Sequence, residues 1–468
     1  MKSAAVGAVL ATAGGQQAQA SLDKKPNILF IVADDLGYAD LSSYGHRSIR
    51  TPHIDSIAQK GVRFLQAYAN SAVCSATRTA LITGRYQYRL PLGLEEPLAG
   101  RDVGLPPEHP TLPSLLKKVG YKTTLIGKWH LGAFPKYWPL KSGYDHFFGF
   151  TGGALDYYSH EAGGPDLWED DVEVERAGYL TDLLGDQAVK TIKEYKNCES
   201  PFFVSLHFNA PHWPWEVPGE EGKKESARLK ANRLGLASFD AGTQETYREI
   251  VERMDYQVGQ VLQALQDNNL AENTIVIFTS DNGGERFSDT WPFSGKKSEL
   301  LEGGIRIPSI ISWPSRIAGG RTSNQVSLSM DWLPTLLEAA GGITDPSYPP
   351  DGISLLPGLV NAGAVPIERS VFWRYKGNKQ RAARIGDYKY LKILDNTYLF
   401  NVVDDPLERA NLQSRYPDKF KSLFDQWIAW NRGMLPEVDA SGTYGFSARQ
   451  LADHIGTGNP TTKADNLD

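Results

Sequence analysis

The chain has 468 residues, 41% of them hydrophobic and 22% charged, with a formal charge of −6. That length exceeds one compact core, so two domains are expected. The acidic balance excludes the broad basic surface that nucleic-acid binding needs, so any anion must be gripped locally.

The chain opens with Met1-Lys2, an apolar run over 4–13 and Ala18-Gln19-Ala20. This is the pattern of a secretory signal peptide over residues 1–20 and predicts a periplasmic or secreted protein. No later stretch has the length needed to span a membrane. The two cysteines, Cys74 and Cys198, lie 124 positions apart and are poor evidence for a disulfide.

Residues 24–362 read as one large domain. Its first strand starts at Asn27 and runs into Asp34-Asp35 before Gly37, a pair for which a turn or helix cap is the ordinary explanation. A helical segment, HIDSIAQKGVRF, follows over 53–64. In SAVCSATRTALITGR, residues 71–85, Cys74 stands just before a short helical stretch from Ala76 to Ile82, which Gly84 can end in the left-handed conformation. The sulfur would then lie at a helix N-terminus, where free N–H groups favour an anion. Arg78, four residues on, shares that helical face. An inert buried cysteine is the plain alternative. A nucleophile handling an anionic substrate suits the setting better.

A second strand runs from Tyr121 into Lys128 and His130, which are two apart and so point the same way if the chain stays extended. A third leads from Pro201 to His212, in a loop stiffened by prolines. A helix with 3.6-residue periodicity covers 246–269, and a fourth strand leads from Asn273 into Asp281-Asn282. Lys296 and Lys297 then precede a glycine pair and a strand-like segment. Apolar runs alternating with helices predict an α/β fold, a large mainly parallel sheet sandwiched by helices. Ligands of such sheets bind outside the carboxyl ends of the strands, where all four polar clusters would sit. Three carboxylates there would repel one another unless a cation lay among them. With Asn282 they make an oxygen donor set suited to calcium or magnesium.

Residues 363–445 read as a smaller C-terminal α+β domain with an antiparallel sheet. Its strands lie in SVFWRY, RAARIGDYKYLKIL and NTYLFNVVDDP, and its helix in PDKFKSLFDQWIAWNRGM. A polar tail over 446–468 closes the chain.

Taken together, these blocks resemble the type I, formylglycine-dependent sulfatases of the alkaline phosphatase superfamily. The matching residues are Cys74-Ser75-Ala76-Thr77-Arg78 followed by Leu81 and Thr83-Gly84-Arg85, the Asp-Asp after the first strand, Gly-Lys-Trp-His-Leu-Gly, the Pro-His loop, Ser-Asp-Asn-Gly, and a lysine five before Glu302. The resemblance runs from Asn27 into the C-terminal domain. It implies an alkaline phosphatase-like fold and conversion of Cys74 to Cα-formylglycine, whose hydrated aldehyde is the nucleophile. It implies one divalent cation, typically Ca2+ and less commonly Mg2+, held by Asp34, Asp35, Asp281, Asn282 and modified Cys74. Arg78 would position the hydrate, while Lys128, His212 and Lys297 would grip the sulfate. His130 would act as the base that regenerates the aldehyde, and His212 would protonate or stabilise the leaving alcohol.

The third motif position, usually proline, is Ala76. The resemblance implies a formylglycine-generating maturase as partner; the oxygen-dependent kind commonly requires proline there and radical-based anaerobic maturases accept alanine, so Ala76 leaves both types open, the anaerobic one included. The expected substrate is a sulfated carbohydrate, with Tyr157, Trp213, Trp215 and Trp291 as candidate contacts to sugar faces. A phosphonate or phosphodiester hydrolase on the same scaffold is the alternative, and a non-catalytic binder of sulfated glycans is a third reading.

Overall fold

The apolar run Asn27–Ala33 forms a strand in the middle of a ten-stranded sheet in the computed structural model, which describes residues 24–94, 102–231 and 242–438. The expected leader over 1–20 and tail over 446–468 lie outside the described residues. In spatial order the strands are Arg321–Ser323, Gly61–Phe64, Ser309–Ser312, Thr274–Ser280, Asn27–Ala33, Phe202–His207, Lys122–Lys128, His146–Phe150, Trp168–Glu169 and Val172–Glu173. From Thr274–Ser280 to His146–Phe150 each strand runs parallel to its neighbour, and the shorter strands beyond them are mixed in direction.

The parallel strands are buried on both faces, which is why their sequences are nearly continuous apolar runs. Ile28, Phe30 and Val32 face one apolar layer, built with Leu81 and Ile82, Leu112, Leu115 and Leu116, and Trp332 to Leu337. Leu29, Ile31 and Ala33 face the other, built from the helices Pro52–Gln59, Leu180–Tyr195 and Gln244–Asp267. Each fully buried Leu, Ile, Val or Phe in these layers contributes roughly 1.5–3 kcal/mol. The mainly parallel sheet between helical layers is therefore present as the sequence predicts.

The segment 53–64 is not one helix. Helix Pro52–Gln59 stops, and Gly61–Phe64 enters the sheet antiparallel to Ser309–Ser312. A side chain at Gly61 would come within 1.9 Å of the Ile311 carbonyl, so the glycine allows this close approach.

Four antiparallel strands, Ser370–Tyr375, Gln380–Ile385, Tyr388–Ile393 and Asn396–Asn401, form the second sheet. The helix Pro417–Asn431 covers one face through Leu423 and Trp427. The other face, with Trp373, Ala382, Leu391 and Phe400, packs on Val73, Ala76, Leu300, Leu301 and Ile305 of the large domain. Lys389 crosses this junction with no solvent exposure, 3.0 Å from Glu302 and 2.9 Å from Glu408. Among the described residues no helix is long and apolar enough to cross a membrane.

Candidate active site

Because the central strands are parallel, the residues that follow them emerge at one edge of the sheet. Asp34-Asp35 follows Ala33, Lys128 ends its own strand, the Pro-His loop follows His207, and Asp281-Asn282 follows Ser280. Backbone bonds knit these ends together: Asp34 N–H donates to the Ala210 carbonyl (3.0 Å) and Asp281 N–H to that of Ala33 (3.2 Å). Gly127, at φ +104°, lets the Lys128 strand pass the His207 carbonyl, which any Cβ there would meet at 1.8 Å.

The helix that presents Cys74 spans Cys74–Thr83, two residues earlier than the sequence suggests. Cys74 is its first residue, and the preceding Val73 is extended and offers no side-chain cap. Gly84 ends the helix at φ +68°, as expected. The thiol lies 4.0 Å from Asp35 Oδ1. Burial pushes its pKa well up, against the opposing charges of Lys128 and Lys297. A thiol that keeps its proton is a poor nucleophile, so Cys74 as such is not the activated group its setting suggests.

Donor atoms of Asp34, Asp35, Cys74 and His212 lie within 4.8 Å of one another. Asp281 is engaged differently, with Oδ2 bound to Arg78 at 2.8 and 3.0 Å and Oδ1 accepting from Asp35 N–H at 3.2 Å. Asn282 donates its amide to Asp35 Oδ1 (2.7 Å). Its own Oδ1 is buried without a hydrogen-bond donor, and so is Asp34 Oδ1. Orphaned oxygens of this kind cost free energy unless something electropositive meets them.

Three cations close the cluster. Lys128 Nζ is 2.6 Å from Asp34, Lys297 Nζ 2.7 Å from Asp35, and Arg78 is on Asp281. Burial pushes Asp34 up to about 8, with Lys128 opposing and the charges of Asp281 and Asp35 adding to the rise. Burial also raises Asp281, but Arg78 and Lys128 outweigh it and the net shift is downward. Burial works against charge on Lys297, yet Asp35 more than offsets it and the ammonium is held well above its ordinary range.

His130 sits at φ +56°, so the extended run that would align it with Lys128 ends before it. Burial, then Lys128 and Arg78, lower its pKa well below the usual value, and its Nδ1 has no hydrogen-bond partner. His212 is held neutral by burial and by Lys297. Its Nδ1 donates to the Trp213 carbonyl (2.6 Å), which leaves Nε2 facing Lys297 Nζ at 3.2 Å.

Of the four aromatic candidates, two are corrected by their burial. Tyr157 is fully buried, stacked on Tyr179, and its hydroxyl donates to the His212 carbonyl at 2.9 Å. It braces the His212 loop and offers no face to a sugar. Trp215 is buried edge-on against Phe287. Trp213 is partly exposed with its ring 4.7 Å from that of His212, and Trp291 is 65% exposed.

Two supporting residues escape the sequence reading. Burial and then Arg78 push His207 down to about 3, so the ring is neutral. Its Nδ1 lies 3.1 Å from both Arg78 Nη1 and the Lys128 carbonyl, and its Nε2 lies 2.8 Å from Ser205 Oγ. Two polar residues, two apart in an apolar strand, were the available signal. Asp40 ties the two metal-type loops together, accepting from Gly37 N–H (2.7 Å), Ser288 Oγ (2.6 Å), Asp289 N–H (2.7 Å) and Tyr247 OH (2.6 Å).

The Sulfatase family model matches residues 26–343. The N-acetylgalactosamine-6-sulfatase of Canis lupus familiaris is 33% identical over 398 residues, covering 79% of this chain and 72% of its own. Arylsulfatase A of Homo sapiens is 31% identical over 410 residues, covering 78% and 74%. The crystal structure of Ps i-CgsB in complex with k-i-k-neocarrahexaose is similar with a TM-score of 0.79 and 29% identity, covering 90% of this chain and 95% of that one.

Proposed function

The chain belongs to the sulfatase family and is a sulfatase, and on that premise we propose that it removes sulfate from a carbohydrate using a formylglycine derived from Cys74 and one divalent cation. The observation that carries this reading is the convergence of Asp34, Asp35, Cys74 and His212 at the sheet edge, ringed by Lys128, Lys297 and Arg78.

The residues fit a hard cation. The orphaned oxygens of Asp34 and Asn282, with Asp35 and Asp281 beside them, are donors of the kind calcium takes, and magnesium is the less favoured choice. Asp34, Asp35, Asp281, Asn282 and the modified Cys74 would hold it. When present, the cation polarises a sulfate oxygen and the hydrated aldehyde supplies an attacking oxygen that can leave again as a carbonyl.

The chain's own groups do the rest. Asp34, Asp35 and Asp281 are each engaged by one cationic side chain, Lys128, Lys297 and Arg78 respectively. Lys128 and Lys297, now on Asp34 and Asp35, would be free to face a sulfate if those carboxylates held a cation instead. Arg78 orients the Cys74-derived nucleophile from one helical turn away. His130, neutral with a free Nδ1, accepts the proton whose loss regenerates the aldehyde. His212, whose Nε2 lies 3.2 Å from Lys297 Nζ, is the group assigned to the leaving oxygen.

A carbohydrate is favoured by the names of the similar proteins, one for N-acetylgalactosamine 6-sulfate and one solved with k-i-k-neocarrahexaose. Trp213 and Trp291 offer ring faces for it. The leader-like segment supports a periplasmic or secreted location, and Ala76 an anaerobic-type maturase as partner. The test is a panel of sulfated oligosaccharides followed by NMR, with matched aryl sulfate and phosphonate esters alongside. Desulfation of one or more sugars is expected. A strong preference for the phosphonate would replace this reading with the phosphonate hydrolase.

A further inference from the structure

Lys297 is the one sulfate-site cation that reaches the site from a turn between irregular segments, not from a strand or helix. Its N–H donates to the Gly284 carbonyl, and its Nζ lies 2.7 Å from Asp35 and 3.2 Å from His212. The next residue, Ser298, is held at φ +72°, and its N–H donates to the Ala72 carbonyl, two residues before Cys74. A serine in that left-handed region is strained, so the turn must be fixed from outside.

The fixing group comes from the other domain. Gln380, the first residue of the strand Gln380–Ile385, is fully buried. Its Oε1 accepts from Leu300 N–H at 2.7 Å, and its Nε2 donates to the carbonyls of Ser298 at 2.8 Å and Gly377 at 3.0 Å. The Leu300 N–H can only donate, which settles which amide atom is the oxygen. One side chain therefore spans the turn directly after Lys297, taking one bond on each side of Glu299. Every other contact of the antiparallel sheet with the large domain could be kept by a different residue at 380, but this paired clamp could not.

We propose that Gln380 is a positioning residue: through its amide the C-terminal sheet sets where the Lys297 ammonium sits, and so sets affinity for the anionic end of the substrate. The proposal rests on the reading of Lys297 as a sulfate-gripping group. Lys297 would bind the sulfate in the ground state as well as the transition state, so loosening it raises KM more than it lowers kcat.

The experiment is a double-mutant cycle on the full-length, maturase-treated enzyme with an aryl sulfate, using Gln380→Ala, Lys297→Ala and the pair. Gln380→Ala is expected to raise KM about tenfold with a smaller fall in kcat, and the double variant to match Lys297→Ala within about twofold, because nothing is left to position. Lower stability with an unchanged KM, or two effects that simply multiply, would overturn the positioning role while leaving Lys297 in place. A fully active Lys297→Ala enzyme would instead overturn the reading of Lys297, and this proposal with it. If Gln380→Ala does not accumulate folded, Gln380→Glu, which keeps the acceptor for Leu300 and loses the donor to Ser298, takes its place in the cycle, and the same outcomes support or overturn the positioning role.

Discussion

Arg78 and Asp281 are joined through a single carboxylate oxygen, with Nε at 3.0 Å and Nη2 at 2.8 Å from Oδ2. The remaining arm, Nη1, is shared between His207 Nδ1 at 3.1 Å and the Lys128 carbonyl at 3.2 Å. The planar fork is thus fixed on three sides, a geometry an ammonium cannot reproduce. Replacing Arg78 by Ala leaves Asp281 buried and unpaired and is expected to lower the unfolding free energy by about 3–5 kcal/mol. Arg78→Lys should recover much of that stability in urea melts yet remain down in kcat by about two orders of magnitude. Near-normal turnover in Arg78→Lys would show that the fork does not matter.

Calcium should stabilise the folded chain, because the orphaned oxygens of Asp34 and Asn282 exist only in the native state. At a hundred times its Kd, a single bound ion adds about 2.7 kcal/mol. Thermal melts with and without a chelator should therefore separate, and Asn282→Ala should narrow the gap. Coincident melts in calcium, magnesium and chelator would count against a cation site here.

Acid should weaken the protein through His207. Its folded-state pKa is pushed down to about 3 from the ordinary value of 6.5. Between those values the unfolded chain binds the proton and the folded chain does not. The stabilisation is therefore complete above pH 6.5 and is lost as pH falls toward 3, at about 1.4 kcal/mol per pH unit for this one group. His130 and His212 are shifted in the same direction. Denaturant titrations at pH 7, 6 and 5 should show a shallower decline for His207→Gln than for the parent. Equal slopes would mean that His207 titrates as it does in the unfolded chain.

Ala76→Pro should be accepted by the fold. Ala76 is the third residue of its helix, in the first turn, where proline is tolerated. It also borders a cavity with Ser71, Val73, Tyr88 and Arg374. We expect a stability change within about 1 kcal/mol and greater conversion of Cys74 by an oxygen-dependent maturase, read from the mass of the Cys74 peptide. Unchanged conversion would mean that position 76 does not choose the maturase.

The strands that carry the site are legible in the sequence because a parallel strand buried on both faces leaves an unbroken apolar run, and the chemistry begins where each run stops. Asp34, Lys128 and Asp281 are located in this way. The start of the Cys74 helix is not legible, since Val73 supplies no capping side chain to mark it. The 53–64 segment splits because Gly61 meets a neighbouring strand more than 240 residues away, which no local pattern encodes. Aromatic loops show composition but not depth, so Tyr157 and Trp291 look alike in sequence while one is buried and the other exposed. Gln380 is invisible for a different reason: its function lies in bonds to residues 80 and 82 positions earlier.

Lys389, closed off from water between Glu302 and Glu408, also ties the protein's completion to the order of its synthesis. A ribosome passes Glu302 eighty-seven residues before it reaches this counter-ion. At 5–20 residues per second that is a wait of roughly 4–17 s. Throughout it Glu302 has Arg306 beside it but lacks this second cation, the Lys297 turn is without its clamp, and the apolar surface at Val73, Ala76 and Leu301 is uncovered. The nascent polypeptide therefore cannot finish the pocket from its N-terminal two thirds. The wall that steadies Lys297 is among the last parts to be made, and a chain that stops short of it stops without a finished enzyme.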